Sequence, residues 1–206
     1  MRMIGFRIAK KQQGVVLIVA LVLLLVLTVA GISAIRLANV EERMTGNFGD
    51  RNVAFQAAEG ALRQAEQFIQ DKNFPDDSFY NTCTGADCFE DGCTEGLCFS
   101  GSFAAGNDCL LTFPPSPSEE VFQKSDVWED GSGQYKEITD GLDNVTTRYI
   151  IEFRCYAARD AATSSATLDA NKYSRTLWEP MYRITAFSVG RSQSARVLLQ
   201  STFRRD

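Results

Sequence analysis

An uncharged apolar run near the N-terminus constrains this chain more than any other feature. From Val15 to Ile35, 21 consecutive residues carry no charge, and their polar side chains, Thr28 and Ser33, can hydrogen-bond to their own helix backbone. As a helix the run is about 30 Å long, which matches the hydrocarbon core of a bilayer. Basic residues precede it, namely Arg2, Arg7, Lys10 and Lys11. This pattern predicts a cytoplasmic leader and an exported remainder.

Composition excludes several classes of function. About 170 residues follow the apolar run, which suits one domain with a helical stalk. The chain has no histidine, so histidine-based triads and histidine-ligated zinc are excluded. We therefore expect a protein that is not an enzyme and needs no cofactor. No long run of Lys and Arg occurs, so direct binding of nucleic acid is not indicated.

Three interpretations of the N-terminus are open from the residues alone. A secretory signal is one, because Thr28-Val29-Ala30 loosely fits a cleavage site, although the apolar run is longer than such signals need. An uncleaved membrane anchor is the second. The third is cleavage after Gly14, because Lys10-Lys11-Gln12-Gln13-Gly14 stands directly before the apolar run. A cut there leaves the whole hydrophobic segment on the mature protein.

After Arg36 the apolar residues become periodic, which predicts an amphipathic stalk helix over residues 37–72. Small residues on this helix favour close packing against a sheet; they are Ala54, Ala57, Ala58 and Ala61. Gly46 and Gly49 each cost about 1 kcal/mol in a helix interior. They predict a local unwinding near residues 45–50.

The last part of the chain predicts three strands. Residues 145–155 alternate between apolar and polar types, which places Phe153 and Cys155 on one face. Residues 181–189 and 195–203 form two further candidate strands, and a Gly- and Ser-containing hairpin loop joins them. An antiparallel sheet packed on the stalk helix follows, which is an α+β layout.

Six cysteines all follow the apolar run: Cys83, Cys88, Cys93, Cys98, Cys109 and Cys155. An even number in an exported part predicts up to three disulfides, and sequence alone leaves all pairings open. The first four recur with four residues between neighbours, a spacing that fits zinc sites poorly. Calcium candidates lie among them, namely Asp87, Glu90, Asp91 and Glu95. Their spacing matches no EF-hand, so a solvated acidic loop is the favoured interpretation.

Two segments of the stalk carry a family resemblance, EERMTGN at residues 41–47 and RNVAFQAAE at residues 51–59. With the leader, they resemble the PilX family of type IV pilus minor pilins. The resemblance covers the chain to about residue 70 and, more loosely, the last strands. It implies a pilin-like α+β fold, in which a long N-terminal helix packs on an antiparallel β-sheet with a cysteine-rich loop insert.

The same resemblance implies an organisation of the chain. Residues 1–14 would be a cytoplasmic prepilin leader, 15–36 a transmembrane and filament-core helix, and 37–72 the stalk helix. Residues 73–206 would be a periplasmic head. Within it, residues 73–144 would be the variable cysteine-rich insert and residues 145–206 the closing strands.

Processing by a prepilin peptidase is a further implication. Gly14 becomes the last leader residue, and Val15 the first mature residue, with a methylated amine. The family usually has Phe or Met at that first position and Glu at the fifth, where this chain has Val15 and Val19. A carboxylate in lipid is costly unless it is paired. Val19 therefore predicts a subunit with no neighbour above it, at the filament tip.

Partners and location also follow from the resemblance. We expect a single-pass inner-membrane protein with a periplasmic head before assembly, and a place at the tip of a surface pilus afterwards. The expected partners are other minor pilins, the major pilin, a large tip adhesin and the prepilin peptidase. The expected role is priming of pilus assembly, which supports twitching motility and attachment. Two alternatives stay open: a type II secretion pseudopilin at the pseudopilus tip, and a membrane-anchored periplasmic binding protein.

Overall fold

A computed structural model of the chain describes part of its length. The described residues are 14–72, 74, 83, 85, 87–90, 92–99, 120–139, 141, 145–159 and 178–205. Their long helix, α1, spans Val15–Asp71, and the strands are β1 (Leu97–Phe99), β2 (Lys136–Glu137), β3 (Thr146–Ala158), β4 (Trp178–Val189) and β5 (Arg196–Arg204). The leader cations Arg2, Arg7, Lys10 and Lys11 lie outside the described residues.

The chain divides into two compact units, Met1–Phe48 and Gly49–Asp206. The described residues of the first unit after Gly14 are helical. Their large apolar side chains are between 50% exposed, at Val19, and 72% exposed, at Val16. By length and composition α1 can cross a membrane, which agrees with the sequence prediction.

The predicted unwinding at Gly46 and Gly49 is wrong, because α1 is continuous through both residues. Nothing lies within 4 Å of the position that a Cβ would take at either glycine. A helical glycine costs only about 1 kcal/mol, and helix propagation through well-formed flanking turns is cooperative. The flanking sequence therefore carries the helix across both glycines.

In the second unit, the remaining part of α1 packs on the sheet through small side chains. Its buried residues recur every three or four positions and are Ala54, Ala58, Ala61, Ala65 and Ile69. They share one apolar core with residues of β3 and β4, including Ile151 and Ile184. Because alanine projects so little, this face lets the helix axis approach the sheet closely. The predicted alanine contact is confirmed, although Ala57 is only half-buried.

The sheet is mixed, with strand order β1-β3-β4-β5, and β2 also pairs with β3. The β3–β4 and β4–β5 pairs are antiparallel, as predicted. β1, however, is parallel to β3, with Leu97 opposite Ile151 and Phe99 opposite Phe153. The sequence analysis predicted the antiparallel pairs and did not predict this parallel pair. A long connection separates β1 from β3, and a long connection allows a parallel pairing that a tight hairpin does not.

The predicted face of Cys155 is also wrong. The β3–β4 register passes from Phe153 opposite Tyr182 directly to Cys155 opposite Met181, so that Arg154 is skipped. Such a shift turns the following side chains to the other face of the sheet. Tyr156 consequently takes the core position, where its ring centroid lies 5.2 Å from that of Phe153.

An aromatic cluster completes the core between α1 and the sheet. The ring of Phe89 lies 5.1 Å from that of Phe74 and 5.7 Å from that of Tyr182. Phe153 packs edge-on against Tyr182 with centroids 5.9 Å apart. Such tilted and edge-on arrangements are the preferred geometries of aromatic pairs. Phe74 and Phe89 come from the predicted insert, so part of that segment belongs to the core.

The opposite face of the sheet is covered as well. Ile150 of β3 is fully buried in a second cluster with Val121, Val127, Cys93 and Cys98. We call residues 120–135, which supply two of these contacts, the covering segment. β3 is therefore buried on both faces, although its alternating sequence predicted one face toward the core.

Candidate functional site: the apolar helix and the outer sheet face

The start of α1 is the first candidate site. Gly14, at a φ of +133°, immediately precedes the helix, and Ile18 N donates to its carbonyl oxygen at 3.5 Å. Val15 is 62% exposed. The predicted processing point therefore coincides with the boundary where the helix begins. Cleavage there would leave α1 whole.

The polar groups of the apolar run are satisfied within the helix, as predicted. Thr28 Oγ1 donates to Leu25 O at 2.8 Å, and Ser33 Oγ donates to Val29 O at 2.9 Å. A helix with internally bonded polar groups and aliphatic side chains all round is compatible with lipid or with other apolar helices. This region is therefore suited to side-by-side packing against lipid or against other apolar helices.

The cysteines form disulfides. Cys83 is bonded to Cys88, and Cys93 to Cys98, so both bridges join cysteines five residues apart. Cys155 is disulfide-bonded too, whereas Cys109 lies outside the described residues. The disulfide prediction is confirmed for these residues. Sulfurs paired in this way are not available as zinc ligands.

The structure does not gather Asp87, Glu90 and Glu95, the calcium candidates that it describes, into one site. Asp87 Oδ1 lies 2.6 Å from Lys72 Nζ, and Glu90 Oε2 accepts a hydrogen bond from Thr94 Oγ1 at 3.2 Å. Glu95 sits in a left-handed backbone conformation at a φ of 52°. Asp91 lies outside the described residues. Among the residues that are described, no three metal-ligating side chains are grouped to hold an ion.

A buried charge network, missed by the sequence analysis, lies on the outer face of the sheet. The Glu152 carboxylate, fully buried, accepts hydrogen bonds from Arg183 Nε and Nη2, each at 2.7 Å. Arg183 Nη2 also pairs with Glu120 of the covering segment. Arg154 Nη1 lies 3.9 Å from Glu120 Oε2, and the Arg183 guanidinium lies 4.9 Å from the Phe122 ring centroid. These contacts fasten the covering segment to β3 and β4.

The electrostatics of the network follow from burial and pairing. Burial lowers the pKa of Arg154, and repulsion from Arg183 adds to this effect. Burial is the largest single influence on Arg183 and acts to lower its pKa, but the hydrogen bonds to Glu152 and Glu120 and the attraction of their negative charges together outweigh it, so the net pKa is raised. Two carboxylates and two guanidiniums balance in charge, which buried ions require. The one sequence signal was Glu152 alternating with apolar residues of a long strand.

A second missed contact holds the β4–β5 hairpin to α1. Asp50 accepts a hydrogen bond from Ser192 Oγ at 2.5 Å and from Ser192 N at 3.3 Å. The side-chain hydrogen bond is the main reason that the pKa of Asp50 is lowered. A Cβ at Gly190 would lie 2.6 Å from an Asp50 oxygen, so the close approach depends on glycine.

Comparison with known proteins agrees with these features. A family model described as PilX N-terminal matches residues 13–63, and one described as type IV pilus assembly protein PilX C-term matches residues 75–205. Neither the curated proteins nor the solved structures include a significant match. PilX-family pilins are structural components of the pilus. Since the second model alone covers more than half of the chain, this protein belongs to the PilX family of type IV pilus minor pilins.

Proposed function

We propose that this minor pilin primes type IV pilus assembly and sits in the tip complex of the filament. The observation that carries the proposal is Val19, an aliphatic residue at the fifth position of an exposed apolar helix. In a repeating subunit, a carboxylate there would pair with the amine of the next chain. A subunit with nothing above it gains no such partner, and an aliphatic side chain costs nothing in an apolar filament core.

Processing is the step that prepares the chain for this role. Cleavage by the prepilin peptidase after Gly14 frees Val15, whose amine is then methylated. The helix stays in the inner membrane with its head in the periplasm until assembly begins. Extraction then moves it from lipid into a bundle of similar helices, an environment that is equally apolar.

The proposed partners are other minor pilins, the major pilin and a large tip adhesin. The chain's own contribution is a head with loops fastened to the sheet, because the Cys93–Cys98 disulfide reaches β1 and Glu120 of the covering segment pairs with Arg183 of β4. Loops positioned by a rigid scaffold commonly carry recognition. Twitching motility and attachment would then depend on the completed tip.

Mass measurement of the mature N-terminus tests the processing step. The membrane-extracted protein is compared between cells with and without prepilin peptidase, by intact mass and N-terminal sequencing. We expect a chain starting at Val15 only where the peptidase is present. Gly14→Val should block cleavage, whereas Gly31→Val, at an exposed glycine inside α1, should not. A chain that starts at Met1 in both strains would contradict the proposal.

The tip position has a separate test. Purified pili are labelled with gold-conjugated antibody against a tag on this chain and counted by electron microscopy. We expect label at one filament end, and few pili in cells lacking the chain. Label distributed along the filament shaft would mean that the protein is a repeating subunit. The absence of a carboxylate at Val19 would then no longer indicate a position at the tip.

A further inference from the structure

The outer face of the sheet carries a cleft. It has a volume of about 600 Å³ and lies between the covering segment, at Trp128 to Asp130, and the β4–β5 hairpin loop. Its floor consists of outward-facing residues of three strands, among them Arg148 and Phe187. We call this space the outer cleft. Its size falls in the range of small-molecule sites in proteins.

The charges that line the outer cleft are balanced. Arg148 forms an ion pair with Asp130 and donates from Nη1 to Trp128 O at 2.5 Å. The remaining charged side chains, Arg196 of β5 and Glu129 of the covering segment, have opposite signs. The cleft therefore offers no net field that would select an anion or a cation. It offers instead hydrogen-bonding groups of both kinds.

Arg148, beneath the cleft, has one buried hydrogen-bond donor without an acceptor among the described residues. The Arg148 side chain is only 10% exposed, and within the described part of the chain its Nε–H has no hydrogen-bond acceptor. A buried donor without an acceptor costs free energy. The central carbon of the Arg148 guanidinium lies 4.3 Å from the Tyr135 ring centroid, and this contact together with the bonds to Trp128 O and Asp130 restricts its orientation.

Aromatic carbon accompanies these polar groups. The rings of Trp128 and Phe187 lie 5.3 Å apart, and both residues line the cleft while remaining half-buried. Trp128 Nε1 is already used, since it donates to Phe122 O at 2.9 Å. The electron-rich faces of aromatic rings attract the polarised C–H groups of a ligand. The cleft thus combines an apolar surface with planar donors and acceptors.

We propose that the outer cleft binds an uncharged saccharide unit. A pyranose has one face of C–H groups, suited to Trp128 and Phe187, and a rim of hydroxyls that both donate and accept. The exposed side chain of Arg196 would donate to hydroxyl oxygens, and that of Glu129 would accept from hydroxyl protons. An aliphatic ligand would leave these polar groups unpaired, and an anion would meet Glu129 and Asp130. The proposal concerns residues of Gly49–Asp206 alone and does not depend on the place of the chain in a pilus.

Direct titration of the full chain tests this proposal. The protein is kept in a detergent without a sugar headgroup and titrated with the methyl glycosides of glucose, galactose, mannose and N-acetylglucosamine, and with sialic acid as the anionic probe. Ligand-observed NMR gives the affinity. We expect saturable binding of at least one neutral sugar, with a Kd of about 1–10 mM. Sialic acid should bind more weakly than that sugar.

Two arginines of one region provide matched variants. Arg196→Ala removes a group that lines the cleft and should weaken binding about tenfold or more, as expected for a lost hydrogen bond to a charged donor. Arg191→Ala removes an exposed arginine of the neighbouring hairpin loop that does not line the cleft, and it should leave the affinity unchanged. Equal melting temperatures would establish that both variants are folded.

Three results would overturn the proposal. They are the absence of saturable binding for every neutral sugar, tighter binding of sialic acid than of any neutral sugar, and an equal effect of the two arginine variants. Tryptophan fluorescence, followed during the same sugar titration, gives a further check. Trp128→Phe leaves Trp178 as the remaining tryptophan. If this variant still shows the fluorescence change that the sugar causes in the parent protein, the change does not come from Trp128, and this result would also contradict the proposal.

Discussion

The two parts of α1 are both helical, but the apolar side chains of the first part are exposed, whereas one face of the second part is buried. From Val15 to Phe48 the helix carries Val, Leu and Ile, and these large side chains are at least half exposed. From Gly49 to Asp71 the fully buried residues are mainly alanines. The part with more apolar surface has less of it covered by its own chain.

This difference shows that burial follows from the available partner and not from hydrophobicity alone. The second part has a sheet to pack against, and alanine suits that contact because it lets the two backbones approach. Among the described residues of its own unit, 14–48, the first part has no such layer. Large exposed apolar surfaces mark sites of protein or membrane interaction, and α1 is long and apolar enough to cross a membrane.

The largest expected effect is the loss of stability when a large apolar side chain is truncated in the head, compared with the same kind of truncation in the exposed part of α1. Phe153→Ala empties a fully buried site in the aromatic cluster and should lower the free energy of unfolding of the head by about 3–5 kcal/mol. Leu24→Ala, at a side chain 61% exposed, should leave it within about 0.5 kcal/mol of the parent. Urea unfolding of the full chain, followed by near-UV circular dichroism, measures both. Equal losses would mean that the two regions share one core.

The second largest expected effect concerns buried charge. It compares the loss of stability when a carboxylate is removed from the buried network with the loss when one is removed from an exposed position of α1. Glu152→Gln removes the carboxylate that Arg183 binds through two hydrogen bonds. It should cost about 3 kcal/mol, the lower end for a broken buried ion pair, because Glu120 still pairs with the guanidinium. Glu42→Gln, at an exposed position of α1, serves as the control and should be nearly neutral. An insensitive Glu152→Gln variant would show that the network is not needed to hold the covering segment.

The third prediction compares the two parts of α1 directly, by placing a larger side chain at one buried and one exposed alanine of the helix. Ala61→Leu adds three carbons where α1 meets the sheet at a fully buried alanine, and we expect a loss of about 2 kcal/mol. Ala20→Leu makes the same substitution at an exposed position of the apolar part and should leave the melting of the head unchanged. Thermal melts of the two variants give the answer. A stable Ala61→Leu protein would show that the helix–sheet contact is loose.

The smallest expected effect depends on pH. The pKa of Asp50 is lowered, chiefly by its hydrogen bond from the Ser192 side chain. A carboxylate with a lowered folded-state pKa contributes stability above its unfolded pKa of about 4, and this contribution disappears as the pH falls through the folded pKa. The melting temperature of Asp50→Asn should therefore lie below that of the parent at pH 7, and the two should converge below about pH 4. A difference that stays constant with pH would show that the ionised carboxylate is not responsible.

Several features were predictable because they depend on local pattern. The apolar run specified where α1 begins, and the alternation of residues 145–155 specified a strand. The loop after Val189 indicated the β4–β5 hairpin, in which Gly190 N bonds to Ala195 O at 2.8 Å. The direction of β1 and the face of Cys155 were not predictable. The direction of β1 depends on its pairing with the distant strand β3, and the face of Cys155 depends on the register shift at Arg154 in the β3–β4 pair.

The outer face of the sheet shows the same limit for the candidate sites. Glu152, Arg183 and Glu120 come from three separated segments, and no spacing rule brings them together. Arg148 and Trp128 meet in the outer cleft for the same reason. Such groups become neighbours only when the covering segment folds across the sheet.

By itself, the sequence determined that this chain has a membrane-compatible helix, an amphipathic continuation, cysteines that form disulfides, and membership of the PilX family. Each of these rests on residue type and on spacing within a few turns or strands. Tertiary structure alone decided which apolar residues are buried, that β1 runs parallel to β3, and that a carboxylate lies buried between strands and a covering segment. The physical reason is that burial and charge pairing depend on groups far apart in the chain, which only the folded arrangement brings within contact distance.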